Sequence, residues 1–69
     1  MEAAELTTRF TYHPPTDGQP AKYGLIRATA HSLAKLIVDE TPESREQSLA
    51  ITAIEEAVFW ANAAIARRS

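Results

Sequence analysis

Residues Ser44–Arg68 read SREQSLAITAIEEAVFWANAAIARR, and this segment carries the strongest structural pattern in the chain. It contains neither Gly nor Pro, and its apolar residues recur at the alternating three- and four-residue spacing of an α-helix. One apolar row comprises Ile51, Ile54, Val58, Ala61 and Ile65. A second row beside it comprises Ala50, Ala53, Ala57, Trp60 and Ala64. The pattern predicts one long helix whose apolar band is too wide for a single partner helix to cover.

The other long periodic segment is Pro20–Glu40, which predicts the helix that packs against this band. Pro20 suits the first helical turn, because an N–H at that position would have no partner within the helix. Its apolar seam comprises Tyr23, Ile26, Ala30, Leu33 and Ile37. The polar link Asp39–Glu43 is short, so the two helices are expected to be antiparallel neighbours. Either Thr41 or Ser44 is expected to cap the second helix.

Residues 1–19 are predicted to form an N-terminal arm, extended or short-helical, ahead of helices over 20–40 and 43–68. The chain, 1–69, is thus expected to be a single all-α domain, an antiparallel two-helix hairpin preceded by the arm. The segment Phe10–Pro15, FTYHPP, favours an extended backbone because proline disfavours the helical conformation in the preceding residue. Its aromatic side chains favour one of two interpretations: an arm that lies across another surface, rather than a disordered tail.

A chain of 69 residues without cysteine has few ways to stabilise a small core. His13 and His31 are too few for a convincing zinc site, so association of several copies is the remaining means. The alternative is a monomeric hairpin with an apolar surface. No signal peptide is recognised, and no apolar run approaches the roughly 18 residues of a membrane span, so a cytosolic protein without a membrane partner is expected. The net charge of −2 argues against general DNA binding.

No group of residues suited to catalysis is evident. No histidine stands where it would activate one of the helical serines or threonines. Glu55 and Glu56 are adjacent, so on a helix they diverge by about 100° and are expected to be solvated rather than an acid–base pair. No glycine-rich phosphate loop or metal motif is present. The sequence therefore predicts a protein that is not an enzyme and that uses neither a cofactor nor a metal.

A binding site for a small anion has better support. Arg27, His31 and Lys35 are four residues apart and form one ridge of the first long helix. An arginine binds phosphate bidentately, and the aromatic rings of Phe10 and Tyr12 on the arm are surfaces on which a base stacks. Basic ridges of this kind are more often simply solvated, so the pattern alone leaves both interpretations open.

Thr29 and Arg68 lie away from this ridge. Thr29 is about 160° around the same helix from Arg27, beside Leu25 and Leu36. Arg68 ends the second long helix as an isolated cation. If copies of the chain pack around a symmetry axis, these two residues would converge there. Otherwise they are an interface hydroxyl and a fraying helix end, which the pattern alone favours.

Two segments resemble a known family. FTYHPPTDGQPAKYGLIRATAHSLAKLI and SREQSLAITAIEEAVFWANAAIARR, within residues 10–68, are similar to the small phage anti-CBASS sponge proteins of the second type. The resemblance implies a non-enzymatic helical homo-hexamer that sequesters the cyclic oligonucleotide signals of CBASS immunity in the cytoplasm of the infected bacterial host. It also implies pockets for cyclic dinucleotides, such as 3′,3′-cGAMP, between interlocked protomers. Separate pockets for cyclic trinucleotides would lie near a threefold axis.

The resemblance also assigns residues to both pockets. Tyr12 of the YHPP arm resembles the tyrosine that packs on the dinucleotide, and Arg27 stands where a lysine serves the dinucleotide phosphates. Because arginine and lysine differ in reach, the order of ligand preference is not carried over. Thr29 and Arg68 resemble the residues of the trinucleotide site. We add three residues to the dinucleotide site by inference from the arm and the ridge: Phe10, His31 and Lys35.

The alternative hypothesis is a structural helical oligomer or adaptor with no nucleotide ligand. Such a protein would associate with itself but would give no calorimetric heat with any cyclic nucleotide. The hypothesis of an enzyme ranks third, because no nucleophile can be paired with a base.

Overall fold

The structure, a computed structural model, describes all 69 residues and contains three α-helices and no strand. The helices are α1 (Ala3–Arg9), α2 (Gln19–Glu40) and α3 (Arg45–Arg68). Hydrogen bonds join the start of α2 to the end of α3 and the end of α2 to the start of α3, so the two helices are antiparallel. The predicted all-α hairpin with a short-helical arm is therefore confirmed.

The molecule is one helix thick. Its extents are 45 × 29 × 12 Å, and 12 Å is about the diameter of a single α-helix with its side chains. No hydrophobic residue is fully buried. Full burial would need a second layer of secondary structure packed against the first. The hairpin therefore has one interface and two open faces.

That interface uses the predicted seams. Every seam residue of α2 and α3 is partly buried except Leu33, which is 48% exposed. The second apolar row of α3 is left outside: Trp60 is 69% exposed, and of its alanines only Ala50 is partly buried. One helix thus covers one row of α3, as the width of the band predicted.

The hairpin turn is set by side-chain caps. The Ser44 side chain accepts a hydrogen bond from the Gln47 backbone N–H at 3.1 Å, so Ser44 rather than Thr41 caps α3. Thr41 ends α2 instead, because its backbone N–H and its hydroxyl both donate to the Ile37 carbonyl. Helix α3 therefore begins two residues later than the pattern indicated.

The arm joins α2 at a left-handed residue. Gly18 has a φ of 84°, a conformation that residues with a Cβ rarely adopt, and it precedes the first turn of α2. Pro20 lies in that first turn, one residue further in than predicted. This bend turns the chain from the irregular segment Tyr12–Thr16 into the hairpin.

Helix α3 is long and apolar enough, by length and composition alone, to cross a membrane. The sequence expectation concerned uninterrupted apolar runs, which Glu55 and Glu56 break, whereas this finding rests on an average over the helix that tolerates two charges. A single helix of this kind is weak support for a membrane segment, since the core helix of a soluble protein passes the same test.

Gln19 is the one buried residue of the chain, at 4% exposure. Its Nε2 donates to the main-chain carbonyls of Ile65 at 3.1 Å and Ser69 at 3.2 Å. Its Oε1 accepts from the Thr16 backbone N–H at 3.0 Å. The side chain therefore ties the first residue of α2 to main-chain oxygens at the end of α3. The Ile65 oxygen also accepts from the backbone N–H and the hydroxyl of Ser69.

Replacing Gln19 with Ala is expected to lower the free energy of unfolding by about 1–3 kcal/mol, because three part-buried hydrogen bonds of this side chain are lost. Gln47→Ala is the matched control. The Gln47 amide donates to the Val38 and Thr41 carbonyls at the other end of the hairpin, but these groups are exposed and water can replace it. Urea unfolding at one fixed protein concentration measures both changes. Equal losses would contradict the role of Gln19 as the buried tie.

Candidate ligand-binding surfaces

Charged contacts hold α1 against the C-terminal end of α3. The two terminal nitrogens of Arg68 donate to the two carboxylate oxygens of Glu5, one of them at 3.0 Å. Arg9 Nε donates to the same carboxylate at 3.1 Å, and Arg67 Nη2 donates to the Arg9 carbonyl at 3.3 Å. Arg68 is therefore not the isolated cation that the sequence indicated. Its partner lies 63 residues away, beyond the reach of local pattern analysis.

These contacts shift the titration of both partners. The Arg68 hydrogen bond, followed by the Arg9 hydrogen bond, lowers the pKa of Glu5 from 4.5 to about 2. The Glu5 carboxylate in turn raises the pKa of Arg68 above its ordinary value. Glu5 therefore remains an anion at neutral and mildly acidic pH.

An open cleft of about 610 Å³, which we call the end cleft, lies beside this ion pair. Three arginines and two aromatic residues are among its lining residues, which are Arg9, Phe10, Trp60, Ala63, Ala64, Arg67 and Arg68. Sequence analysis did not assign Arg9 or Arg67 to a site and placed Trp60 only in the second apolar row. The spacing of Trp60, Ala64 and Arg67 does put them on one face of a helix, and that was the available signal.

The arm presents its aromatic residues to solvent. Phe10 is 84% exposed and Tyr12 is 81% exposed. The base of the arm is fastened instead by His13, whose Nε2 donates to the Thr8 carbonyl at 2.7 Å. Phe10 and Tyr12 are thus held outward on a segment whose backbone is tied back to α1.

The predicted basic ridge lies exposed along α2, but its members differ. Lys35 Nζ forms an ion pair with Asp39 at 2.8 Å. Arg27 forms no salt bridge, and its Nη2 lies 3.8 Å from the position that a Cβ on Gly24 would take. The guanidinium of Arg27 therefore folds back over Gly24 and is free to bind an anionic ligand. Lys35 would first have to give up its ion pair with Asp39.

Two apolar grooves flank the hairpin seam on its two faces. Thr29 lies in a groove of about 380 Å³, where it is the one residue that is not hydrophobic. Its neighbours there are Leu25, Ile26, Ala30, Leu33, Ile54, Ala57, Val58 and Ala61. His31 lies in a smaller groove with Glu55 and Phe59. The helical-wheel separation of Thr29 from the basic ridge is therefore seen in the structure.

A single chain completes neither predicted site. Among the four main clefts, the end cleft contains Phe10 and the smaller groove contains His31, while Tyr12, Arg27 and Lys35 line none of the four. Thr29 and Arg68 line different clefts. Both groupings stay predictions, and each would need surfaces from further copies of the chain.

These features define a class of protein: a small helical hairpin whose apolar and basic surfaces face outward. The sequence model described as Acb2/Tad1, hairpin domain, matches residues 2–66. The chain belongs to this family, which is the anti-CBASS sponge family, and the resemblance drawn from the sequence is confirmed. Its members sequester rather than catalyse, and the family broadly implies binding of cyclic oligonucleotides and self-association. Searches of curated proteins and of solved structures found no match.

Acidification is expected to release α1 from α3. The pKa of Glu5 is lower in the folded chain than its ordinary 4.5, so its contribution is complete above pH 4.5 and is lost as the pH falls towards 2. Trp60, the one tryptophan of the chain, lines a cleft with Arg9 and Phe10, so its fluorescence should report the release.

The matched controls for this pH titration are Glu5→Gln and Glu2→Gln. Glu5→Gln should remove the transition of Trp60 fluorescence between pH 4.5 and 2, whereas Glu2→Gln should keep it, because the Glu2 side chain makes no contact with an arginine. A transition of equal size in Glu5→Gln would contradict the assignment.

Proposed function

We propose that this chain is a non-catalytic sponge in the cytoplasm of the infected bacterial host. It binds cyclic dinucleotides such as 3′,3′-cGAMP, and also cyclic trinucleotides, and holds them without cleavage. The observation that carries the proposal is the family match over residues 2–66. The chemistry of the surface agrees with it, because exposed aromatic rings and an unpaired arginine are suited to a base and a phosphate. Binding lowers the free concentration of the signal, so its effectors stay inactive.

The proposed working form is a homo-hexamer. A one-layer hairpin with no buried hydrophobic residue leaves large apolar side chains in water, and exposed surfaces of this kind mark interfaces. Leu25 and Trp60 are more than two-thirds exposed, and Phe59 is 64% exposed. The alanines of the second row on α3 are small enough to allow close helix approach. Self-association would supply the second layer that the single chain lacks.

In the proposed dinucleotide pocket, an arm of one protomer meets the basic ridge of another. Tyr12 and Phe10 stack on the bases through their exposed rings, and the hydrogen bond from His13 to the Thr8 carbonyl holds the segment that carries them. Arg27 binds the phosphate bidentately, and His31 adds a hydrogen-bond donor on the same ridge. Lys35 contributes least, since its charge is already compensated by Asp39.

In the proposed trinucleotide pocket, Thr29 and Arg68 come from several copies around a symmetry axis. The Thr29 hydroxyl makes no hydrogen bond within the chain and is the polar group of an otherwise apolar groove, so it is available to a ligand. Arg68 supplies the positive charge for phosphate. Enclosure between protomers would exclude water and strengthen both interactions.

Recovery of ligand after binding tests the absence of cleavage. We expect that protein incubated with 3′,3′-cGAMP and then heat-denatured returns the ligand intact, because no nucleophile and base are paired in the chain. Chromatography and mass spectrometry of the supernatant measure this, with ligand heated alone as the control. Linear products would identify a phosphodiesterase instead.

Substitutions test the two pockets separately. Arg27→Glu is expected to weaken 3′,3′-cGAMP binding by roughly 10- to 100-fold, since a charged hydrogen bond contributes about 1.5–3 kcal/mol. Tyr12→Ala is expected to weaken it by roughly 5-fold or more through loss of stacking. Thr29→Val should weaken only cyclic trinucleotide binding. Calorimetry measures all three.

Arg45→Glu is the matched control for these substitutions, because Arg45 is exposed and has no place in either pocket. Light scattering of the same samples gives the mass of each assembly. An assembly that gives no heat with any cyclic di- or trinucleotide would favour the structural oligomer or adaptor. A stable monomer in dilute buffer would contradict the hexamer and the shared pockets together.

A further inference from the structure

We propose that Glu5 is a specificity-determining residue that competes with ligand phosphate for Arg68, so that a cyclic trinucleotide must displace the Glu5 carboxylate when it binds. This inference rests on the proposed assignment of Arg68 to the trinucleotide pocket. It concerns the selectivity of that pocket against the dinucleotide pocket, whose Arg27 has no such competitor.

The geometry of the contact is that of an occupied phosphate site. Both terminal nitrogens of Arg68 donate to the two oxygens of the Glu5 carboxylate. A phosphate presents the same pair of acceptor oxygens to a guanidinium, so both groups need the same edge of Arg68. A phosphate that approached another edge would still meet the repulsion of the Glu5 charge. Trinucleotide binding therefore requires Glu5 to leave.

The competitor is present whenever the protein works. Glu5 is charged at neutral pH, and its hydrogen bonds with Arg68 and Arg9 lower its pKa further. The contact is also weak enough to exchange, because the Glu5 and Arg68 side chains are 29% and 53% exposed and ion pairs in water contribute little. Glu5 thus lowers the affinity of the site for phosphate without closing it.

Displacement of Glu5 removes the acidic partner of two arginines. The same carboxylate accepts from Arg9 Nε, so its departure leaves both Arg9 and Arg68 without their acidic partner. Both arginines line the end cleft with Phe10 and Trp60. A bound phosphate would replace the carboxylate as their counter-charge, while α1 would keep only the Arg67 hydrogen bond to the Arg9 carbonyl as a polar contact with α3.

The two proposed pockets therefore differ in whether their arginine is already paired with an acidic side chain. Arg27, assigned to the dinucleotide, forms no salt bridge within the chain and binds without prior exchange. Arg68, assigned to the trinucleotide, starts from a compensated charge. Glu5 should therefore shift the balance of the protein towards cyclic dinucleotides.

The test is calorimetric titration of the full chain, as wild type and as Glu5→Gln, with cyclic tri-AMP and with 3′,3′-cGAMP. Glu5→Gln is expected to bind cyclic tri-AMP roughly two- to five-fold more tightly, the range that an exposed ion pair supports, with 3′,3′-cGAMP affinity unchanged. Glu2→Gln is the matched control on the same arm and should behave as wild type. Light scattering checks that each variant keeps the wild-type mass.

Each other outcome has a distinct meaning. The inference is overturned if Glu5→Gln binds cyclic tri-AMP no more tightly than the wild type does. If the wild type still binds both ligands, the proposed function is unaffected by that result. Equal tightening for 3′,3′-cGAMP also overturns it, because Glu5 would then act on both pockets alike. Failure of the wild type and of Glu5→Gln to bind either ligand overturns the proposed function and the inference with it.

Discussion

A two-helix hairpin has only one internal interface, and every other property of this chain depends on that constraint. At 12 Å the molecule is a single layer, and no hydrophobic side chain in it is fully removed from water. The row of α3 that faces α2 is partly covered, whereas the row that contains Trp60 is open. An apolar surface of this extent drives association, because burial of apolar area is the main favourable contribution to folding and assembly. The open apolar surface of the hairpin therefore supports the proposed self-association.

Polar side chains join the helices at the open end of the hairpin. Gln19 is buried at the open end of the hairpin and joins α2 to the end of α3 through fully satisfied hydrogen bonds. Glu5 joins the arm to the same end through Arg68 and Arg9. The first contact is shielded from water and the second is not. The end of the hairpin therefore has two kinds of contact: the buried hydrogen bonds of Gln19, and the exposed Glu5 ion pair, which a competing anion is able to replace.

The candidate site was predictable in its chemistry but not in its arrangement. Spacing alone identified the ridge that contains Arg27, and the helical wheel separated Thr29 from it. The four-residue spacing of Lys35 and Asp39 was an available signal for their ion pair. No spacing indicates that Arg68 is compensated by Glu5, because the two residues are 63 positions apart. The family match supports binding of cyclic oligonucleotides in general. The assignment of single residues to each ligand rests on the resemblance and on the exposure of those residues.

Helix type, hairpin topology and the residues of the seam were readable from the amino-acid order, because helical periodicity and turn composition are properties of neighbouring residues. The unusual width of the apolar band on α3 was readable for the same reason. The choice of Ser44 as the cap, the burial of Gln19 and the pairing of Glu5 with Arg68 came from the folded chain. A cap depends on backbone geometry that two candidate residues could both have supplied. The other two contacts join residues that are close only after the helices have packed, so no local pattern encodes them.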